Sequence, residues 1–388
     1  MKSIPSYLDR YPAKMVTTLA DKIIDNYVTE DSVILDPFCG SGVILNAAQK
    51  KNSKVYGIDI NPYAILLSSV KLNGFNYYNA KKILEKTIAA CQKDDHTWNT
   101  NYANADYWFT PSTLNKLYRI RYNLKKNKAN NSKEGLAILL SFALSLRLSS
   151  KADQRSPKPF ISKIAIENRK GKHFDPYLII ADILEKLSFI YKDQSQSNAM
   201  LFCKNSLIKE NYLINEETLS HIITSPPYIN AQDYFRNSKL ELFFLEGLLP
   251  YDVAEIKPLF IGSEIVAFDK QTQSHFDSVI AIEKKIEKNN KRLAIVVNKY
   301  FSQMNLVLEN TYGLLRSKGN LILVCGDNIV AGQKIITWKI LNDIATSKGY
   351  EIVDQFKDKI MKRSLPPNRL GHKSLMKDET ITIFVKSK

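Results

Sequence analysis

The sequence is poor in the residues that build metal centres and disulfide frameworks. Its 388 residues include four cysteines and five histidines. Cys39, Cys91, Cys203 and Cys325 stand far apart with no Cys-x-x-Cys pair, and the histidines are equally scattered. No zinc site or disulfide framework is legible, so no metal is expected, and a reducing, cytoplasmic setting is the default. Long apolar runs are also missing. The longest, Leu136 to Leu148, is broken by serines and Arg147 and is too short to span a bilayer. The opening MKSIPSYLDRYP lacks the apolar core of a secretory leader, and no membrane partner is expected.

Negative charge is scarce as well. There are 39 Asp+Glu against 55 Lys+Arg, a formal net charge of +16, which favours a polyanionic partner. The excess is concentrated: Lys116 to Lys172 holds 15 Lys/Arg and 3 Asp/Glu, a net of +12. Tyr118, Tyr122 and Phe160 are interleaved with it. Basic side chains can pair phosphates while aromatic rings stack on bases, and Lys125, Lys126 and Lys128 are the candidates singled out here. A solvated basic face on a helical segment is the competing explanation.

What is present is enough apolar residue, 44%, for a real core, and enough length for one large α/β domain with an insertion or for two domains. Ala13 to Tyr27 has helical spacing. Ser32 to Leu35 is a short apolar run ending in Asp36, followed by the turn PFCGSG and a helical pattern over Val43 to Lys50. Val55 to Ile60 is a second buried strand carrying Asp59, broken by Asn61-Pro62 before a helix over Tyr63 to Leu72. This is a βαβ unit, so a parallel sheet is expected. Residues 76–199 read as a mostly helical, basic insertion, with Lys125 to Gly135 a polar loop and Arg155 to Phe160 irregular. Residues 1–75 and 200–388 form the remaining domain. Its later elements are strands at His221 to Thr224, Asn320 to Gly326, Tyr350 to Phe356 and Thr380 to Lys386. Helices are expected over Asn237 to Leu249, Gln303 to Ser317 and Lys334 to Lys348.

Two strings carry chemistry. In DPFCGSG, Gly40 and Gly42 let the backbone approach a ligand and turn into a helix. Asp59, 23 residues after Asp36, ends the next strand, where a carboxylate can accept both hydroxyls of a ribose. The turn is neither GxGxxG nor a P-loop, so a nucleotide phosphate is not the natural ligand. The second string is TSPPY, Thr224 to Tyr228. Its prolines fix the backbone and leave no competing N–H groups. A plain strand-to-helix turn and a rigid loop are the bland readings of the two strings.

DPFCGSG resembles motif I of the bacterial DNA amino-methyltransferases, and TSPPY resembles their catalytic motif. The resemblance implies a Rossmann-like class I S-adenosylmethionine-dependent methyltransferase fold. It places Phe38, Gly40 and Gly42 along the S-adenosyl-L-methionine site, Asp36 beside the methionine end, and Asp59 on the ribose. A cationic sulfonium near Asp36 makes electrostatic sense. RYPAKM, Arg10 to Met15, resembles the segment that closes over the donor. The catalytic roles fall to Ser225 and the Pro226 carbonyl as acceptors for an amino group, to Pro227 as the rigid follower, and to Tyr228 as a stacking face for an extruded base.

Ser in the first position resembles cytosine-N4 enzymes, and the absence of any Pro-Cys pair disfavours cytosine-C5 chemistry. The implied reaction is N4 methylation of cytosine in double-stranded DNA. Adenine-N6 methylation, guanine-N2 methylation of RNA, and a catalytically idle DNA-binding subunit are the alternatives. Restriction-modification or phage defence is the implied setting, with a cognate endonuclease or defence subunit as a further partner. The stretch Tyr228 to Gly247, IGSE at Ile261 to Glu264 and RSLPPNR at Arg363 to Arg369 extend the resemblance, and put Tyr234 and Arg236 near the target strand. One departure is visible. Where the family often has an acid for the adenine amino group, FCKNSL offers Asn205, with Asp106 in NADYW competing.

Overall fold

The computed structural model describes residues 7–9, 11–12, 14–95, 104–156, 158–172, 174–192, 199–229, 234–263, 274–359 and 378–387. These divide into two compact units, one built on a sheet and one of helices. RSLPPNR, Glu264, Arg10 and Ala13 lie outside the described residues.

The sheet unit comprises residues 13–60, 198–233 and 258–388. Its strands in chain order are β1 (Val33–Asp36), β2 (Lys54–Asp59), β3 (Ala199–Cys203), β4 (Leu219–Thr224), β5 (Leu315–Gly326), β6 (Asn328–Val330), β7 (Gln333–Ile335), β8 (Tyr350–Lys359) and β9 (Asp378–Lys386). Seven form one sheet in the order β3-β2-β1-β4-β5-β9-β8, while β6 and β7 make a separate hairpin. Strands β1 to β5 run parallel, and β9 is antiparallel to both β5 and β8. All six residues of β4 are buried, the polar Ser220, His221 and Thr224 included, as expected of a central parallel strand covered on both faces. Val297, Tyr300, Phe301, Met304 and Leu308 of the helix Lys291–Tyr312 join Leu35, Ile222, Leu321, Leu323 and Phe384 in one hydrophobic core. Ile340, Leu341 and Ile344 of the helix Thr337–Ser347 complete it.

The order reverses between β1 and β4. Chain from β1 goes outward to β2 and β3, then returns to β4 and continues the other way. In open parallel sheets that switch point leaves a crevice at the carboxyl ends of the strands. Both sequence motifs begin there, since Asp36 closes β1 and Thr224 closes β4.

The helical unit comprises residues 1–12, 61–197 and 234–257, so it takes in more chain than the 76–199 segment. Lys133–Ser149 is apolar nearly all round and buried along its length, as expected of a central helix. It packs against the helices Pro62–Asn73, Tyr77–Gln92, Pro176–Ile190 and Lys239–Leu245. Three helices begin with a capping residue followed by proline: Asn61-Pro62, Thr110-Pro111 and Asp175-Pro176. Each cap side chain accepts a first-turn N–H, and proline takes a position where its missing donor costs nothing.

Several expected elements are corrected. The helix expected over Gln303 to Ser317 runs Lys291–Tyr312, and Leu315 already belongs to β5. The helix expected from Lys334 starts at Thr337, because Gln333–Ile335 pairs with β6 in a hairpin that two residues define. Lys125 to Gly135 is not a loop: Lys125 and Lys126 end the helix Pro111–Lys126, and the helix Lys133–Ser149 begins within the segment. The helix expected over Asn237 to Leu249 is confined to Lys239–Leu245 after a short turn at Tyr234–Asn237. Strand β3 was not legible at all, being an edge strand with a mixed exposure pattern.

Candidate active site

The site grows from the turn after β1. Gly40 and Gly42 both sit in the left-handed region, at φ +48° and +70°, which only glycine adopts without strain. The turn is closed by Gly42 N–H donating to the Cys39 carbonyl at 2.7 Å. Gly57, in the middle of β2, is needed for a different reason. A Cβ there would stand 2.6 Å from Leu201 and 2.7 Å from Leu45, so only glycine lets β3 and the turn helix close over the strand.

Two buried carboxylates hold the turn. The Asp36 Oδ1 accepts from Phe38 N–H at 3.0 Å and from the Thr224 hydroxyl at 2.7 Å. Asp59 accepts from Gly40 N–H at 2.9 Å through Oδ2. Burial pushes Asp36 up to about 7; the Thr224 and Phe38 bonds pull it back, and the nearby Asp59 charge adds to the rise. The Cys39 thiol is also held well above its ordinary value, by burial first and then by Asp59 and Asp36, so it is no nucleophile. Ser206 donates to the Pro37 carbonyl at 2.6 Å and so ties the segment after β3 to this turn.

The TSPPY segment leaves β4 beside it. Pro226 is buried, while Ser225, Pro227 and Tyr228 are half-buried. The Tyr228 hydroxyl donates to Glu379 Oε1 on β9 at 2.9 Å. Burial raises the Glu379 carboxyl above its usual range, the Tyr228 bond lowers it, and Asp358 raises it further. Gly262, in IGSE, has φ +76°, and a Cβ on it would lie 2.6 Å from the Tyr228 carbonyl oxygen. That close approach explains the glycine.

Thus Asp36, Phe38, Gly40, Gly42, Asp59 and Ser225 to Tyr228 all belong to the sheet unit, at the strand ends flanking the switch point. Asn205 follows β3 in the same unit, and its Oδ1 is engaged by Leu207 N–H at 3.0 Å. Asp106 is exposed on the helix Ala105–Trp108 of the helical unit. Tyr234, Arg236, Lys125, Lys126 and Lys128 also belong to the helical unit. The three lysines are exposed, and Lys125 and Lys128 rim a cavity of about 350 Å³ with Leu124, Leu248 and Tyr251. Thr224 and Glu379 were missed as site residues. Thr224 lay inside the motif itself, whereas Glu379 carried only the weak signal of an acid within an alternating apolar strand.

The chemistry of the turn fits S-adenosylmethionine. Two buried carboxylates would repel a phosphate but suit a ligand bearing a sulfonium, an ammonium and ribose hydroxyls. The Ser41 hydroxyl, buried in the same turn, has no hydrogen-bond partner among the described residues, as expected where a polar ligand completes the site. Among the described residues there is no cluster of His, Cys, Asp and Glu able to hold a metal, and no helix long and apolar enough to cross a membrane.

Sheet order, antiparallel β9 and the glycine turn define a Rossmann-like class I S-adenosylmethionine-dependent methyltransferase fold, with S-adenosyl-L-methionine as its cofactor. Residues 2–69 match the DNA methylase family. The chain is 25% identical to the Type II methyltransferase M.AvaI of Nostoc sp., over 90% of this chain and 80% of that protein. It is 23% identical to M.BsoBI of Geobacillus stearothermophilus, covering 86% and 77%, and 20% identical to M.MvaI of Kocuria varians, covering 97% and 90%. Over most of its length the chain is therefore similar to Type II DNA methyltransferases.

Proposed function

We propose that the chain is a site-specific DNA methyltransferase acting on the N4 amino group of cytosine in double-stranded DNA. The observation that carries this reading is the join between its two motifs. Thr224 of TSPPY donates to Asp36 of DPFCGSG across adjacent parallel strands, which sets an amino-group acceptor beside a turn built for a cationic donor. S-adenosylmethionine supplies an electrophilic methyl group when bound. Asp59 would take the ribose hydroxyls, Asp36 the methionine end, and Phe38 with the glycine backbone the adenosyl face.

An exocyclic amino group is a poor nucleophile because its lone pair is delocalised into the ring. Ser225 Oγ and the Pro226 carbonyl oxygen each accept one N–H of that group. This holds the protons out of the ring plane and returns the lone pair to nitrogen. Buried Pro226 and rigid Pro227 fix both acceptors, so the remaining task is alignment. Tyr228, tethered through its hydroxyl to Glu379, offers its ring to an extruded base. The basic stretch Lys116 to Lys172, with Lys125, Lys126 and Lys128, would supply sequence-independent affinity for phosphates, and Tyr234 and Arg236 would act near the target strand.

Mass spectrometry of nucleosides from DNA treated with the protein and S-adenosylmethionine tests the reading. N4-methylcytosine is expected. N6-methyladenine would keep the mechanism and replace the base assignment, which rests on Ser225 in the first position. Methyl transfer to tRNA with none to DNA would overturn the substrate class.

A further inference from the structure

The loop after the central helix of the helical unit has an unusual internal order. Arg147, near the end of Lys133–Ser149, is buried, and its guanidinium donates to the carbonyls of Asp153 and Ser156. Its own carbonyl accepts from Gln154 Nε2 at 2.6 Å and from the Ser150 hydroxyl at 2.9 Å. Asp153 N–H donates to the Phe160 carbonyl at 2.8 Å, closing the loop on itself. A polar centre has been placed under this loop where an apolar one would have been simpler.

All of this converges on one side chain. Asp153 is only 3% exposed at its side chain, and its carboxylate accepts from Arg155 N–H at 2.9 Å and from the Ser162 hydroxyl at 2.6 Å. The same carboxylate takes Arg155 side-on, Nε to Oδ1 at 3.0 Å and Nη2 to Oδ2 at 2.5 Å. Arg155 itself is 64% exposed. An exposed ion pair ordinarily has two mobile partners and contributes little to stability. Here the acid is fixed by the fold, so the arrangement fixes the plane of an exposed guanidinium.

We propose that Arg155 is a specificity-determining residue that reads the O6/N7 edge of a guanine in the DNA recognition sequence, held in register by Asp153. The inference rests on the DNA-methylation reading above. A guanidinium has five N–H donors, and Asp153 uses one on Nε and one on Nη2. The other Nη2 hydrogen and one Nη1 hydrogen remain side by side along one edge, matching the paired acceptors of guanine in the major groove. A phosphate also suits that edge but carries no sequence information, so loss of discrimination at one guanine is what separates base reading from backbone contact. Lys158 and Lys163 flank the loop in the most basic part of the chain, and Phe160 is exposed beside them.

The test expresses wild type, R155A and R155K in a host without DNA methylation, followed by single-molecule sequencing of the genomic DNA. The wild type should modify a short motif containing a guanine at which both variants lose discrimination by about tenfold or more. S-adenosylmethionine binding of the variants should match wild type, and R155A should melt lower, because the buried Asp153 carboxylate then keeps only the residue-155 N–H and Ser162 as donors. Where variant turnover is too low to define a motif, binding to duplexes of the wild-type motif with 7-deazaguanine at each guanine decides. Wild type should weaken at one position, and R155A should be indifferent there. An unchanged motif in R155A, or wild-type behaviour restored by R155K, overturns the inference alone. Unmodified DNA with the wild-type chain overturns the DNA-methylation reading and this inference with it.

Discussion

Asp59 holds the turn and, on the proposed reading, holds the donor; two substitutions separate these roles. Its Oδ2 accepts from Gly40 N–H at 2.9 Å, and the residue is 9% exposed. Asp59→Ala leaves a buried N–H without its acceptor, which costs about 1–3 kcal/mol of folding stability. Asp59→Asn can keep a carbonyl oxygen in the same place, so stability should fall much less. Both lose the charged acceptor for the ribose hydroxyls. Hydrogen bonds to a charged group are worth about 1.5–3 kcal/mol, so S-adenosylmethionine affinity should drop about 10- to 150-fold in either variant. Calorimetric titration reads the affinity and thermal unfolding reads the turn. Asp59→Asn with wild-type affinity would remove Asp59 from the donor site. Asp59→Ala with a wild-type melting temperature would show that the Gly40 bond does not hold the turn.

Ser225→Ala should cut methyl transfer on the order of 10²–10³-fold while S-adenosylmethionine and DNA binding stay nearly intact, because its acceptor matters once the base is extruded; equal losses in binding and turnover would refute this. Asp36, lifted to about 7 by burial against 3.8 when unfolded, makes a stability contribution that is full below about pH 4 and lost as pH rises to about 7. A cationic donor favours its ionised form, so S-adenosylmethionine affinity should rise with pH up to about 7 and then level off. Asp36→Asn should remove that rise, and a wild-type affinity that is flat from about pH 5.5 to 8 would count against the role. Replacing Lys125, Lys126 and Lys128 by Gln should flatten the dependence of log DNA affinity on log salt by up to about one unit per lost phosphate contact. An unchanged slope would mark them as a solvated helix end.

What the amino-acid order settled is local or periodic. The short apolar run before DPFCGSG and the next one ending in Asp59 had to be buried parallel strands, because nothing polar faces outward on either. The glycines at 40 and 42 marked the turn between strand and helix, since their left-handed backbone is a local property. Pro226 and Pro227 likewise announced a rigid exit from β4 without reference to any partner. The helical unit was legible in part, through the apolar length of Leu136 to Leu148.

Tertiary structure decided whatever depends on distant partners. The β6–β7 hairpin overrode a helical pattern because pairing with Asn328–Val330 outweighs the propensity of three residues. Strand β3 exists because β2 offers it an edge, not because its own sequence alternates. Thr224 meets Asp36 across 188 residues, and Tyr228 meets Glu379 across 151. No spacing rule connects positions so far apart; strand order brings them together. Asp153 and Arg155 are near neighbours in sequence, yet only the buried Arg147 beneath their loop turns an ordinary surface pair into a fixed one. Sequence supplied the side chains that can do chemistry, and strand order in one unit and the packing under a loop in the other decided which of them meet.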